Sequence, residues 1–158
     1  KICRDNKNIV VATGTGSGKT ESFMIPVLNE LLNEKQNKNL CPGVRALLLY
    51  PMNALANDQM KRLRKLLENE PEITFGIYTG ETEDQDDKAL GKFIRMHGEK
   101  PLTNELISRD KMKANPPNIL LTNYAMLEYL MLRPDDSVFV EGKYSNNWKY
   151  IVIDEAHT

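Results

Sequence analysis

The amino-acid sequence predicts an α/β domain with a mainly parallel sheet flanked by helices, on three observations. Short apolar runs at Ile9–Thr13, Ala46–Tyr50, Ile73–Tyr78, Ile119–Thr122 and Tyr150–Asp154 recur along the chain, and all but the third are near-continuous Val, Ile and Leu. Stripes of apolar residues at helical spacing lie between them, and a glycine-rich turn joins the first run to the first stripe. Strands buried on both faces read as unbroken apolar runs, and strand–helix alternation builds parallel sheets.

In chain order, Ile9–Thr13 is the first predicted strand. Met24, Val27, Leu28, Leu31 and Leu32 then mark one face of a helix after Lys19, in which Pro26 removes a backbone donor at a cost of roughly 3 kcal/mol and predicts a kink. The strand Ala46–Tyr50 is followed by a second helical stripe, Ala56, Met60, Leu63 and Leu67, whose wet side carries Lys61, Arg62, Arg64 and Lys65. After Ile73–Tyr78 the rhythm breaks over residues 81–117, read as an insertion. It opens on five carboxylates, Glu81, Glu83, Asp84, Asp86 and Asp87, which lack the turn glycine of a calcium loop and read as a solvated acidic loop. One helix is expected over Leu102–Met112, and His97 is expected at the surface without partners. The strand Ile119–Thr122 leads into a helix over Tyr124–Leu132, started by Asn123 and stopped by Pro134. Met52, Met60, Met126 and Met131 fall at core or near-core helical positions, and Trp148 is expected to pack ahead of the last strand.

Composition sets the outer bounds. The chain has 158 residues, 41% hydrophobic and 27% charged, which fits one folded domain and excludes wholesale disorder. Its 21 basic and 22 acidic side chains give a net charge of −1, which excludes a strongly basic nucleic-acid coat but not a local phosphate-binding surface. No apolar run approaches the roughly 20 residues that span a bilayer, so no membrane partner is expected. Cys3 and Cys41 stand apart, without CxxC or paired histidines, which argues against a disulfide scaffold or a zinc site. A cytoplasmic protein is the expectation, and the ending IVIDEAHT, a strand followed at once by polar residues, reads as part of a longer chain.

Two segments carry chemistry. In VVATGTGSGKT, Val10 to Thr20, three glycines lie between a buried strand and a helix. Glycine allows successive backbone N–H groups to turn inward and has no Cβ to block a phosphate, while the helix that follows presents its positive end. Thr15, Gly16, Ser17 and Gly18 are thus candidates to cradle phosphates, Lys19 to reach the β- and γ-phosphates, and Thr20 to ligate Mg²⁺. The phosphate-loop pattern is met except at its first position, where Thr13 stands and a glycine follows; a glycine-rich turn with an incidental lysine is the plainer alternative. In KYIVIDEAH, Lys149 to His157, a buried strand delivers Asp154 and Glu155 to the carboxyl edge of the sheet. There Asp154 can hold Mg²⁺ through water, and Glu155 can orient and deprotonate an attacking water. A pair of solvated acids is the plainer reading of that segment alone.

With DEAH at residues 154–157 and TGSGKT at residues 15–20, the chain resembles the superfamily 2 DEAD/DEAH-box helicases over nearly its whole length. Pro51–Gln59, PMNALANDQ, is similar to a segment of RecQ-like DNA helicases, and Tyr78-Thr79-Gly80 and Leu121-Thr122-Asn123 fall where the family has its next two nucleic-acid motifs. The resemblance implies the first of two RecA-like P-loop NTPase domains, ATP and Mg²⁺ as cofactors, and catalytic roles for Lys19, Asp154 and Glu155. It implies that His157 couples the ATP site to domain movement. Pro51, Met52, Asn53, Thr79, Gly80, Thr122 and Asn123 would line a path for single-stranded nucleic acid, DNA in preference to RNA, touching sugar and phosphate only. The family's adenine-reading glutamine, its Ser-Ala-Thr motif and its second RecA-like domain have no counterpart in these residues. In the family the Ser-Ala-Thr strand lies between those ending here at Thr13 and Asp154. The resemblance therefore implies an incomplete first domain that does not unwind duplexes by itself. A nucleotide kinase with a phosphate loop and a non-hydrolysing ATP-binding switch are the alternatives.

Overall fold

In the computed structural model, which describes residues 7–12, 18–51 and 53–155, five parallel strands form one sheet. They are β1 (Ala46–Tyr50), β2 (Phe75–Ile77), β3 (Glu105–Leu106), β4 (Ile119–Asn123) and β5 (Tyr150–Ile153), in the order β3-β2-β4-β1-β5. The helices are α1 (Lys19–Gln36), α2 (Asn53–Leu67), α3 (Asp86–His97), α4 (Arg109–Ala114) and α5 (Tyr124–Leu132), with two 3₁₀ turns at Pro134–Phe139 and Gly142–Asn147.

Strand β1 is buried throughout because both faces of the sheet are covered. Ala46, Leu48 and Tyr50 pack with Met24, Val27 and Leu31 of α1 and Ala56, Leu63 and Leu67 of α2. Leu47 and Leu49 face the other way, onto Met112 of α4, Met126 and Leu130 of α5, and Phe139. Burying each of these Leu, Val, Met and Phe side chains is worth roughly 1.5–3 kcal/mol. The α/β class with a parallel sheet flanked by helices is as the sequence indicated. So is α5, which begins where the Asn123 side chain accepts from the Met126 N–H at 2.8 Å. Trp148 packs against the second core layer and donates its indole N–H to the Phe139 carbonyl at 2.7 Å.

Several expectations are corrected. Residues 7–12 form no regular structure, and Ile9, Val10 and Val11 are exposed; Thr13 lies outside the described residues. A strand exists only where a neighbour completes its ladder, and no described residue pairs with the outer edge of β5. The expected helix after Lys19 is present as α1 and continues past Pro26, with Met24 and Val27 buried on either side, so packing outweighs the single lost donor. The acidic stretch is helical from Asp86, since Asp86 and Asp87 occupy the first turn of α3, where carboxylates favour the helix dipole. The helix expected over Leu102–Met112 is instead strand β3 followed by α4, which Ser108 caps through the Lys111 N–H. Met131 is 64% exposed, because α5 turns Met126 and Leu130 to the sheet instead. His97 is exposed, as expected, but not without a partner: it stacks on Phe93 with ring centres 4.3 Å apart, and desolvation there, with Arg64 nearby, holds its pKa below the usual histidine value.

Residues 81–117 are tied into the fold by polar groups. The Asn104 carboxamide is directed at the carbonyls of Leu67, Glu70 and Ile73, which close the turn between α2 and β2. Arg64 donates from Nε to Glu105 at 2.8 Å and from Nη1 to Glu99 at 2.7 Å, and lies over the Phe93 ring. It is therefore largely buried, whereas Lys61 and Lys65 stay on the wet side. Gly76 of β2 has no room for a side chain: a Cβ there would stand 2.7 Å from the Leu106 carbonyl oxygen and 2.9 Å from the Met112 sulfur. Gly76→Ala is expected to destabilise the fold by about 1–3 kcal/mol through overpacking, measured by urea denaturation. Among the described residues no helix is long and apolar enough to cross a membrane.

Candidate nucleotide and nucleic-acid site

Because the strands are parallel, β1, β4 and β5 all end on one edge, with Tyr50 opposite Asn123 and Leu49 opposite Ile153. The Asp154 N–H extends the ladder by one bond, donating to the Leu49 carbonyl at 3.0 Å. The Tyr124 hydroxyl donates to the Asp154 carbonyl at 2.9 Å. Glu155 then takes a left-handed conformation, φ 52°, with its N–H donating to Asp154 Oδ1 at 3.0 Å. A left-handed non-glycine residue costs roughly 1–2 kcal/mol, and such strain gathers at functional sites.

Helix α1 starts at the same edge. Gly18 precedes it in a left-handed conformation, φ 78°, and no side chain caps the helix, so its first-turn N–H groups are left for another acceptor. Lys19 and Thr20 occupy that first turn and are half-buried; Thr15, Gly16 and Ser17 lie outside the described residues. Side chains of α2 link this start to the end of β1. The Gln59 carboxamide N–H reaches Thr20 Oγ1 at 3.5 Å, and one turn later Arg62 pairs with Glu21 at 3.4 Å. Burial pushes the Tyr50 phenol well above its usual pKa, the Asp154 carboxylate pushes it further, and Arg62 opposes both. The beginning of α1, one face of α2, Tyr50 and Asp154 thus meet around one patch of the carboxyl edge.

Beside this patch lies a polar network from three segments. Asn123 Nδ2 donates to Asn53 Oδ1 at 2.9 Å, and Asn53 Nδ2 donates to Glu81 Oε1 at 2.9 Å. Gly80 is exposed and open, and Pro51 is half-buried. Thr122 is fully buried with its hydroxyl donating to the Tyr78 carbonyl at 2.6 Å. Thr79 is buried too, its N–H donating to Thr82 Oγ1 and its carbonyl accepting from Arg109. Asn53, Gly80 and Asn123 therefore form the surface, while Thr79 and Thr122 brace it from beneath. Met52 and His157 lie outside the described residues. Sequence reasoning left Glu81, Tyr50 and Gln59 without a place at this edge. The signal for Gln59 was an amide standing on the apolar stripe of Ala56, Met60 and Leu63.

The family model for the DEAD/DEAH box helicase matches residues 1–158. The chain belongs to this family. Among relatives of this DEAD/DEAH box domain, the Druantia protein DruE of Escherichia coli is 30% identical over 238 aligned residues, covering 97% of the chain and 13% of DruE. An uncharacterized ATP-dependent helicase of Bacillus subtilis, YprA, is 31% identical over 153 residues, 96% of the chain and 16% of YprA. The ATP-dependent helicase Lhr-Core of Sulfolobus acidocaldarius is 25% identical over 163 residues, 99% of the chain and 16% of that protein. The DEAD/DEAH box domain described here thus spans 13–16% of the length of these curated relatives. No solved structure matches it.

Proposed function

We propose that this DEAD/DEAH box chain is the first of two RecA-like domains of an ATP-dependent translocase or helicase that acts on single-stranded DNA in preference to RNA, in the cytoplasm. The observation that carries the reading is that the α1 start, one face of α2 and Asp154 gather around Tyr50 on one sheet edge. The ATP-dependent helicase names of YprA and Lhr-Core support it.

In this reading Thr15, Gly16, Ser17 and Gly18 offer N–H groups to the phosphates, and Lys19 supplies a positive charge beside them. The donor set available to a cation is all hard oxygen, the Thr20 hydroxyl and the Asp154 carboxylate, which suits Mg²⁺. When bound, Mg²⁺ supplies charge neutralisation at the phosphates. Glu155 orients the attacking water and takes its proton. His157, two residues after Glu155 in the chain, couples the site to the second domain. Asn53, Gly80 and Asn123, with Pro51 and Met52, contact sugar and phosphate through amides and backbone groups, on loops braced by Thr79 and Thr122. Such contacts need no large positive charge, in keeping with the net charge of −1.

Two observations support a further strand of the full-length protein pairing with β5. Among the described residues β5 is the end strand of the sheet, next to β1, and its Ile151 and Ile153 are 60% and 52% exposed. Phosphate release by the full-length protein, measured with and without single-stranded DNA, tests the function. Stimulation by DNA is the expected result, and a rate indifferent to nucleic acid overturns it. Equal stimulation by RNA removes the DNA preference, and transfer of phosphate to a nucleotide instead of water makes the protein a kinase.

A further inference from the structure

The edge patch contains two buried oxygen atoms whose hydrogen-bonding capacity is unused. The Tyr50 hydroxyl sits on a fully buried side chain at the end of β1 and has no hydrogen-bond partner among the described residues. Gln59, 8% exposed, directs its N–H at Thr20 but leaves Oε1 without a partner among the described residues. Native structures satisfy nearly all buried polar atoms, so each exception calls for an absent partner. Here the exceptions share one neighbourhood. Gln59 touches Thr20. Arg62, one turn further along the same face of α2, pairs with Glu21 and is, with Asp154, a charge that acts on the Tyr50 hydroxyl.

The chemistry of the pair narrows the partner. Gln59 Oε1 can only accept a hydrogen bond, so its missing partner is a donor, and the Tyr50 hydroxyl, which can donate or accept, is able to accept from the same source. Waters ordered by a hard divalent cation are strong donors, and Mg²⁺ sheds its waters reluctantly, keeping several when it binds protein and phosphate. Gln59 also occupies one lone pair of Thr20 Oγ1 through its N–H, which leaves the other for a cation. The third buried orphan, Arg109 Nε, is a donor, and its side chain supports the Thr79 loop instead.

We propose that Tyr50 and Gln59 are positioning residues for the nucleotide-bound Mg²⁺, with Gln59 aligning the Thr20 hydroxyl and both side chains accepting hydrogen bonds from water around the cation. This deepens the ATP-Mg²⁺ reading above and rests on it. The role is one of outer hydration, like the polar groups that orient metal ligands elsewhere, whose loss weakens metal affinity without removing a ligand.

The test is binding of a fluorescent ATP analogue to the full-length protein, once in saturating Mg²⁺ and once in EDTA. Tyr50→Phe and Gln59→Leu are each expected to weaken the Mg²⁺-dependent affinity about three- to tenfold, the value of one or two hydrogen bonds, and to leave the EDTA affinity unchanged. Tyr50→Phe keeps the ring and removes only an unsatisfied hydroxyl, so it is also expected to raise the melting temperature of the nucleotide-free protein and to shrink the gain on adding Mg²⁺ and nucleotide. Equal weakening with and without Mg²⁺, or none in either, overturns the proposal. Lys19→Ala separates the two levels: if it leaves nucleotide binding intact, the nucleotide site itself is not here. If it abolishes binding while the other variants behave independently of Mg²⁺, only the roles of Tyr50 and Gln59 fall.

Discussion

Glu155→Gln is expected to lower ATP turnover by the full-length protein about 10²–10⁴-fold, the range for losing a general base, while leaving ATP binding nearly unchanged. The carboxamide keeps the size of the side chain and can still accept a hydrogen bond from water, but it cannot take the proton. The backbone that presents it is set independently, by the left-handed turn at φ 52° and the N–H bond to Asp154 Oδ1, and neither depends on the side-chain charge. Phosphate release and fluorescent nucleotide binding, measured side by side, check this. Turnover that survives the substitution removes Glu155 from the reaction. A wild-type protein that binds ATP without any turnover would be the switch module instead.

Arg64→Ala is expected to cost the fold about 3–5 kcal/mol, the penalty for stranding one partner of a buried ion pair. The Glu105 side chain is 2% exposed, and its remaining bond is a weak one from the Leu102 N–H at 3.2 Å. Burial already raises the Glu105 pKa above the usual carboxylate value, and Arg64 is the main opposing influence. A carboxyl whose folded pKa lies above its unfolded one binds the proton more tightly when folded, so its charge weighs most against folding at neutral pH and above. The deficit of Arg64→Ala should therefore shrink as pH falls through the carboxylate range, and Glu105→Gln in the same background should recover part of it at neutral pH. Urea denaturation at several pH values measures both. A loss of under 1 kcal/mol, of the kind surface ion pairs give, would mean that Arg64 is not holding residues 99–106 against α2.

The residues differ in how much their neighbours in the chain revealed about them. Strands β1 and β4 were readable as apolar runs, since a strand covered on both faces needs no alternation, and both are buried along their apolar length. The run 150–154 was readable for the same reason, yet Ile151 and Ile153 stand exposed, because burial of an edge strand depends on what lies beside it. The start of α1 and the Asp154-Glu155 pair were legible as candidate chemistry, each from residue types at fixed spacing. That they meet at one edge followed from the parallel topology the runs implied. The acidic stretch was legible in part: its carboxylates are exposed or half-buried and residues 81–85 form no helix, but Asp86 and Asp87 begin a helix whose start they favour. Arg64 was indistinguishable from Lys61 and Lys65 in the sequence, and became a buried anchor only because Glu99, Glu105 and Phe93 come round to meet it from more than 25 residues away.

Amino-acid order alone determined the short-range features of this DEAD/DEAH box domain: that Ala46–Tyr50, Ile119–Thr122 and the run from Tyr150 become strands, where Asn123 starts α5, and which acids follow the last strand. These rest on backbone sterics, capping and contiguous burial, interactions that close within a few residues. Only the tertiary structure decided that Ile9–Val11 stay out of the sheet, that Glu105 and Leu106 join it as an edge strand, and that Tyr50 and Gln59 are buried with unused oxygens beside Thr20 and Asp154. Each of those outcomes is a contact between segments distant in the chain, and the free energy of a long-range contact depends on the identity of a partner that local sequence does not contain.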